Sequence, residues 1–351
     1  MRRFFDFVRR ERLYLLLLVF VAIVTTMVVT MPDGRAKCSE KKALRSAAAP
    51  AVPAVLNDSE KVDKVFAENK YLASVFGMVS LLVVAVFLLG VIIDANLIRY
   101  RLSGKTADIS TYTLQRINWG IWDVVKVGIL FLFFAYVLLI TEALLLRYLP
   151  IFKNENIRMV INTSIMDVLC VVFIIHFAVV QHKEKLAALG LSVKNFFKNI
   201  WYGMVGYIAI IPVLIGIIAV MAFMMSMIKY VPEQQPVVQL FLKEKNTALL
   251  LYTSLFAAIV GPIMEELFFR GFMYNAVKKY VGVFWSAMVT ALFFAFLHAH
   301  LVGFLPIFVL GVALAYLYER TGTLVSSITV HMIHNLSMVA LVFLVKQLGV
   351  Y

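Results

Sequence analysis

Residues 13–31 carry no charged side chain, and apolar runs of comparable length recur near 71–93, 124–146, 159–180, 201–228, 248–264, 282–299, 301–318 and 324–345. A helix needs about 20 mostly apolar residues to cross the hydrocarbon core of a bilayer. Backbone amides at that depth find no water, so only helices and closed barrels can span it. Barrel strands alternate apolar and polar residues with a period of two, whereas these runs are rich in Leu, Phe and Met on every face. The expected fold is therefore all-α: a polytopic membrane helix bundle with eight or nine transmembrane helices, the later ones short and closely joined.

Composition leads to the same place. Of 351 residues, 62% are hydrophobic and 15% charged, with a mean hydropathy of +0.91. A soluble chain is about half apolar and a quarter charged, so a water-soluble fold is excluded. The net charge of +13 comes from 33 basic and 20 acidic residues. No basic cluster is interleaved with aromatics on a polar surface, so no nucleic-acid partner is expected. Lys and Arg at helix ends instead set topology and meet anionic headgroups of the lipid bilayer. Cys38 and Cys170 belong to no CxxC or Cys/His spacing, and nothing calls for a disulfide or a thiolate metal site.

The strongly basic first twelve residues precede an apolar core longer than that of a signal peptide, with no prompt cleavage site. They are read as the cytoplasmic start of an uncleaved first span in a multi-pass protein of the cell (plasma) membrane. Residues 32–70 mix charges of both signs around the Ala/Pro-rich stretch 47–53 and are expected to form an exposed loop or linker. Arg99, Arg101, Lys105, Arg116, Lys183, Lys185, Lys194, Lys198, Lys278 and Lys279 fit cytoplasmic loops. The opposite loops also carry Arg147, Lys153, Arg158, Lys229, Lys243 and Lys245, so the bias is modest. Two regions are expected: an amino-terminal transmembrane region over 1–180 and a carboxy-terminal region over 185–346, where polar residues gather. No inverted repeat of the transporter kind is visible.

An ionisable side chain at the bilayer centre costs roughly 2.5–3.5 kcal/mol on insertion scales, so a span carrying several must face protein or water. Three successive segments do so. In the first, Glu265 and Glu266 follow Pro262, a residue that kinks or starts a helix. Glu266 and Arg270 share a face as a potential ion pair, while Glu265 points about 100° away. The second pairs Phe294 with His298, one turn apart. The third pairs His331 with Asn335, again one turn apart, with His334 turned off that face. Each alone reads more blandly: a surface ion pair at a helix end, an interfacial histidine, a histidine bonded to a neighbouring carbonyl. Together they supply the parts for hydrolysis. One carboxylate can take a proton from water, a histidine can position that water, and a second histidine with an asparagine can donate to an oxyanion. His300, nearer the boundary, is read as a rim residue.

These residues resemble the CPBP family of intramembrane proteases, which includes type II CAAX prenyl endopeptidases and bacteriocin-processing relatives. The family's EExxxR, FxxxH and HxxxN-type motifs stand here in order as Glu265-Glu266 with Arg270, Phe294 with His298, and His331 with Asn335. Residues 188–191 also look like the point where the family's core begins. The resemblance covers roughly 185–346, read as a CPBP-like intramembrane protease domain. It implies that Glu265 is the water-activating base, His298 its partner on the water, and His331 with Asn335 the oxyanion pair. Glu266, Arg270 and Phe294 are implied as supports. HExxH is absent. A metal-free glutamate–histidine–water mechanism, with no cofactor, is preferred. The alternative is one divalent metal ion, most readily zinc, held by Glu265, His298 and His331 with a water position open.

The function expected is an intramembrane endopeptidase acting on a membrane-associated peptide or protein. An ion-coupled transporter is one alternative, and a catalytically silent immunity or scaffold protein of the same family is another. Asp167, His176 and Glu142 are further ionisable groups within spans, expected to pair with neighbouring helices or lie at span ends. Met221, Met224, Met225 and Met227 are expected to be packing or lipid-facing surface, and Lys126 to snorkel toward the interface.

Overall fold

The computed structural model describes residues 2–30, 59–105, 109–110, 116–146, 148–230 and 235–349. Every regular element among them is helical: α1 Arg2–Thr30, α2 Ser59–Glu68, α3 Lys70–Leu102, α4 Ile121–Leu145, α5 Glu155–Ile175, α6 Phe196–Met227, α7 Pro236–Lys243, α8 Thr247–Leu255, α9 Gly261–Glu266, α10 Asn275–Leu297, α11 Leu301–Thr321 and α12 Leu324–Lys346. Wider π-helical turns cover His176–Gln181, Phe256–Val260 and Leu267–Tyr274, and a 3-10 turn covers Leu186–Leu189. Among the described residues, eight helices are long and apolar enough to cross a membrane. Their outward faces stay apolar, as lipid demands: Leu81 is 72% exposed in α3. The protein is an integral, multi-pass membrane protein.

One of the eight helices, Thr247–Leu297, has 51 residues, well beyond the roughly 20 that a single crossing needs. It does not run straight. Gly282 has φ 77° and ψ −179°, a backbone conformation outside the helical region that a side chain would strain. The Phe294 ring lies 4.6 Å from the Arg270 guanidinium, although 24 residues of straight helix would separate them by about 36 Å. The chain therefore doubles back at Gly282, and the two apolar runs 248–264 and 282–299 occupy the two limbs of one helical tract.

The chain forms two compact units. The first contains α1, α4, α5 and the π turn after α5. Here α1 packs on α4 through Phe20 and Phe133, ring centroids 5.4 Å apart, and through the hydroxyls of Thr25 and Tyr136 at 2.6 Å. α4 meets α5 where Glu142 accepts from Arg158 at 2.7 Å and from Asn162 at 2.9 Å, so this carboxylate is paired with a neighbouring helix, as expected. Lys126 corrects the sequence reading. It does not snorkel to an interface: it is 6% exposed, with Nζ 3.0 Å from Glu11 and 3.7 Å from Asp123 and lying over the Tyr14 ring. Two nearby carboxylates outweigh the pull of the headgroup region.

The second unit contains α2, α3 and α6–α12. α3, which the sequence grouped with the amino-terminal spans, packs along α6. The core joins α6, α11 and α12 through Leu214, Leu310, Leu314, Leu317 and Val330. α7 is tied to the far end of α12, where Lys346 Nζ donates to the carbonyls of Phe241 and Glu244 at 2.9 and 2.7 Å. Of the exposed loop expected over 32–70, residues 59–68 are helical. The rest of that loop to residue 58, including Cys38 and the stretch 47–53, lies outside the described residues, as does Arg147. Met224 and Met227 are exposed, consistent with lipid-facing surface.

Candidate active site

Glu265 and Glu266 end the short α9, which stands between two π-helical turns. Such wide turns occur often at functional sites. The two neighbouring carboxylates meet opposite fates. Glu266 is fully buried, and its Oε1 accepts from Arg270 Nη1 at 2.6 Å and from His331 Nδ1 at 3.0 Å. Arg270, equally buried, also donates from Nη2 to the Gly311 carbonyl at 3.2 Å and lies over the Phe294 ring. A buried charge without a partner would be very costly. Here each one cancels the other, and the pair holds the start of the Arg270 turn against α11.

Glu265 is placed differently. Its side chain is 34% exposed, yet its Oε2 atom is buried and receives no hydrogen bond. That oxygen stands 3.7 Å from His331 Nε2, too long for a direct hydrogen bond and a separation that one water can bridge. Because the Glu266 carboxylate can only accept, His331 Nδ1 carries a hydrogen, and Nε2 is the nitrogen turned toward Glu265.

His298 caps the end of α10. Its Nδ1 donates to the Phe294 carbonyl at 2.7 Å, which leaves Nε2 as the available nitrogen. Phe294, 1% exposed, is the hub of the site. Its ring touches those of His298 at 4.7 Å, His331 at 5.5 Å and Phe269 at 5.1 Å. The residues of all three motifs thus meet around one aromatic ring, from three segments of the chain. Asn335 lies one turn beyond His331, and its Nδ2 donates to the Ala257 carbonyl at 2.9 Å.

The neighbouring histidines take other parts. His300 Nδ1 accepts from the Gly303 amide at 2.8 Å as the N-cap of α11, and the His334 ring stands edge-on to Tyr207. The turn after residue 188 matters indirectly. Gly190, at φ 78°, accepts at its carbonyl from the Leu324 amide at 2.9 Å and the Thr323 hydroxyl at 3.2 Å, anchoring the start of the helix that carries His331. Sequence reading missed a polar cluster toward that end. Asn275 donates to the Tyr318 hydroxyl at 2.7 Å, and Glu319 accepts from Tyr274 at 3.0 Å and from Lys278. The i, i+4 spacing of Tyr274 and Lys278 was its one visible sign.

Among the described residues, no three His, Cys, Asp or Glu side chains are grouped so as to hold a metal ion. Glu265 and His331 face each other, while the Nδ1 of His298 is engaged by its own helix.

Comparison with known proteins converges on the same stretch. Residues 247–337 match the family described as Type II CAAX prenyl endopeptidase Rce1-like. The Bacillus subtilis protein named "Putative membrane peptidase YdiL" is 32% identical over 79 residues, 22% of this chain and 32% of the relative. The UPF0177 protein YaiF of Lactococcus lactis is 33% identical over 92 residues, 24% of this chain and 39% of the relative. The chain thus covers about a third of the length of these curated relatives. No solved structure matches. The matched stretch contains every residue of the three motifs, and over residues 247–337 this chain is similar to the Type II CAAX prenyl endopeptidase Rce1-like family.

Proposed function

We propose that this protein is an endopeptidase that hydrolyses a peptide bond of a membrane-associated peptide or protein with a water activated by Glu265. The observation that carries the reading is the buried Oε2 of Glu265, without a donor and 3.7 Å from His331 Nε2. A buried polar atom left without a protein partner calls for an explanation, and a reactive water is the simplest one.

Glu265 accepts a proton as the water oxygen attacks the peptide carbonyl, and His298 Nε2 accepts the water's other hydrogen bond. The tetrahedral oxyanion forms beside the His331 ring, whose Nδ1 stays on Glu266. Collapse breaks the C–N bond, and the proton held by Glu265 passes to the leaving amine. Glu266 and Arg270 touch no reacting atom: they hold His331 in the required orientation. The reaction so written needs no metal. The amino terminus lies on the cytoplasmic side of the cell membrane.

The test compares the peptides and proteins of membranes containing wild-type protein with those containing Glu265→Gln. The wild-type sample holds a cleavage product that falls about 10²–10⁴-fold in the variant, and its formation persists after chelator treatment. Identical product lists would overturn the hydrolase reading in favour of a silent scaffold, and chelator loss restored by zinc would overturn the metal-free mechanism.

A further inference from the structure

The carbonyl of Ala257, about two turns before the Glu265–Glu266 pair, takes a hydrogen bond from outside its own helix. Over Phe256–Val260 the backbone is in π register, in which each N–H reaches the carbonyl five residues back. Gly261 accordingly donates to the Phe256 carbonyl. The next amide would be that of residue 262, where α-helix resumes from Gly261; only if the wide register ran one residue further would it reach the carbonyl of Ala257. Residue 262 is proline, which has no N–H. The donor that arrives instead is a side chain from 78 residues away: Asn335 Nδ2, 2.9 Å from Ala257 O. Within a bilayer a proline in a helix is tolerated when a neighbouring helix satisfies the freed carbonyl.

We propose that Asn335 is a positioning residue: its carboxamide replaces the amide hydrogen that Pro262 lacks, and thereby holds the turn bearing Glu265 and Glu266 against the helix bearing His331. Two bonds then join the same two segments on either side of Pro262. One runs from Asn335 to Ala257, the other from His331 to Glu266 at 3.0 Å. One bond permits the carboxylate turn to pivot, whereas two fix it. The gap between Glu265 Oε2 and His331 Nε2 is set by that clamp. The local geometry stands by itself, and only the use made of the clamp rests on the proposed hydrolase activity.

The test is a double-mutant cycle on the full-length protein in detergent: wild type, Asn335→Ala, Pro262→Ala and the double variant. Each is read by thermal unfolding midpoint and by yield of the cleavage product identified with Glu265→Gln. Asn335→Ala lowers the midpoint by roughly 2–4 °C and the product by up to about 100-fold, the cost of an ångström-scale misplacement. Pro262→Ala restores a main-chain donor for the helix, so adding Asn335→Ala to it has little further effect on either reading. Equal midpoint losses in the Pro262 and Pro262→Ala backgrounds would overturn the proposal. So would a double variant that regains its midpoint but not its product, since Asn335 would then act on the reacting atoms. Should wild type form no product, the hydrolase reading falls while the midpoint cycle still decides the clamp.

Discussion

Two buried polar clusters can be set side by side, one in each unit. In the first, Glu11 accepts from Arg10 and Lys126, and Asp123 accepts from the Gly120 amide, Gln181 and His182. All four carboxylate oxygens have donors. In the second, Glu266 Oε1 is bonded twice, but Glu266 Oε2 and Glu265 Oε2 are buried without a hydrogen-bond partner. Buried charge in a membrane protein is therefore not in itself a sign of chemistry. The first cluster joins helices with its carboxylates satisfied, whereas the second leaves buried carboxylate oxygens without donors beside an imidazole nitrogen.

Arg270→Met gives the largest break in this contrast. It strips Glu266 of its cation, and breaking such a buried pair costs about 3–5 kcal/mol. The full-length variant should unfold far below wild type, and Glu266→Gln added to it should recover part of the midpoint without recovering product. Lys126→Met should destabilise by a smaller amount, about 1.5–3 kcal/mol for lost charged hydrogen bonds. Product formed per folded molecule should stay at the wild-type level, and a fall in that ratio would show that the first cluster serves catalysis as well. The smallest effect on stability belongs to Glu265→Gln, whose Oε2 has no partner to lose. Its midpoint should match wild type within about 0.5 kcal/mol, as for ordinary surface substitutions, while product disappears. A large loss of stability would mean that Glu265 is held in place by contacts of its own.

The candidate site residues were legible because the bilayer makes them so: Glu265, Glu266, Arg270, His298 and His331 stand out where neighbouring positions are apolar. The pairing of Glu266 with Arg270 also followed from their spacing. The first cluster was harder to read. Lys126 alone looked like a long side chain near a helix end, and its partner Glu11 lies 115 residues away in sequence. The same blindness to distant partners hid the bond from Asn335 to the Ala257 carbonyl, 78 residues away in sequence.

Apolar length and the absence of charge determined, from sequence alone, that this chain is a bundle of membrane helices, since in hydrocarbon each helix must satisfy its own backbone and needs only enough apolar residues to cross. The motif residues were likewise written in the chain. Tertiary structure decided the rest: that the tract 247–297 folds back at Gly282 so that Phe294 reaches Arg270, that Glu266 and not Glu265 is neutralised, and that His331 turns Nε2 toward the open carboxylate. Those outcomes depend on contacts between residues far apart in sequence, which local periodicity cannot encode.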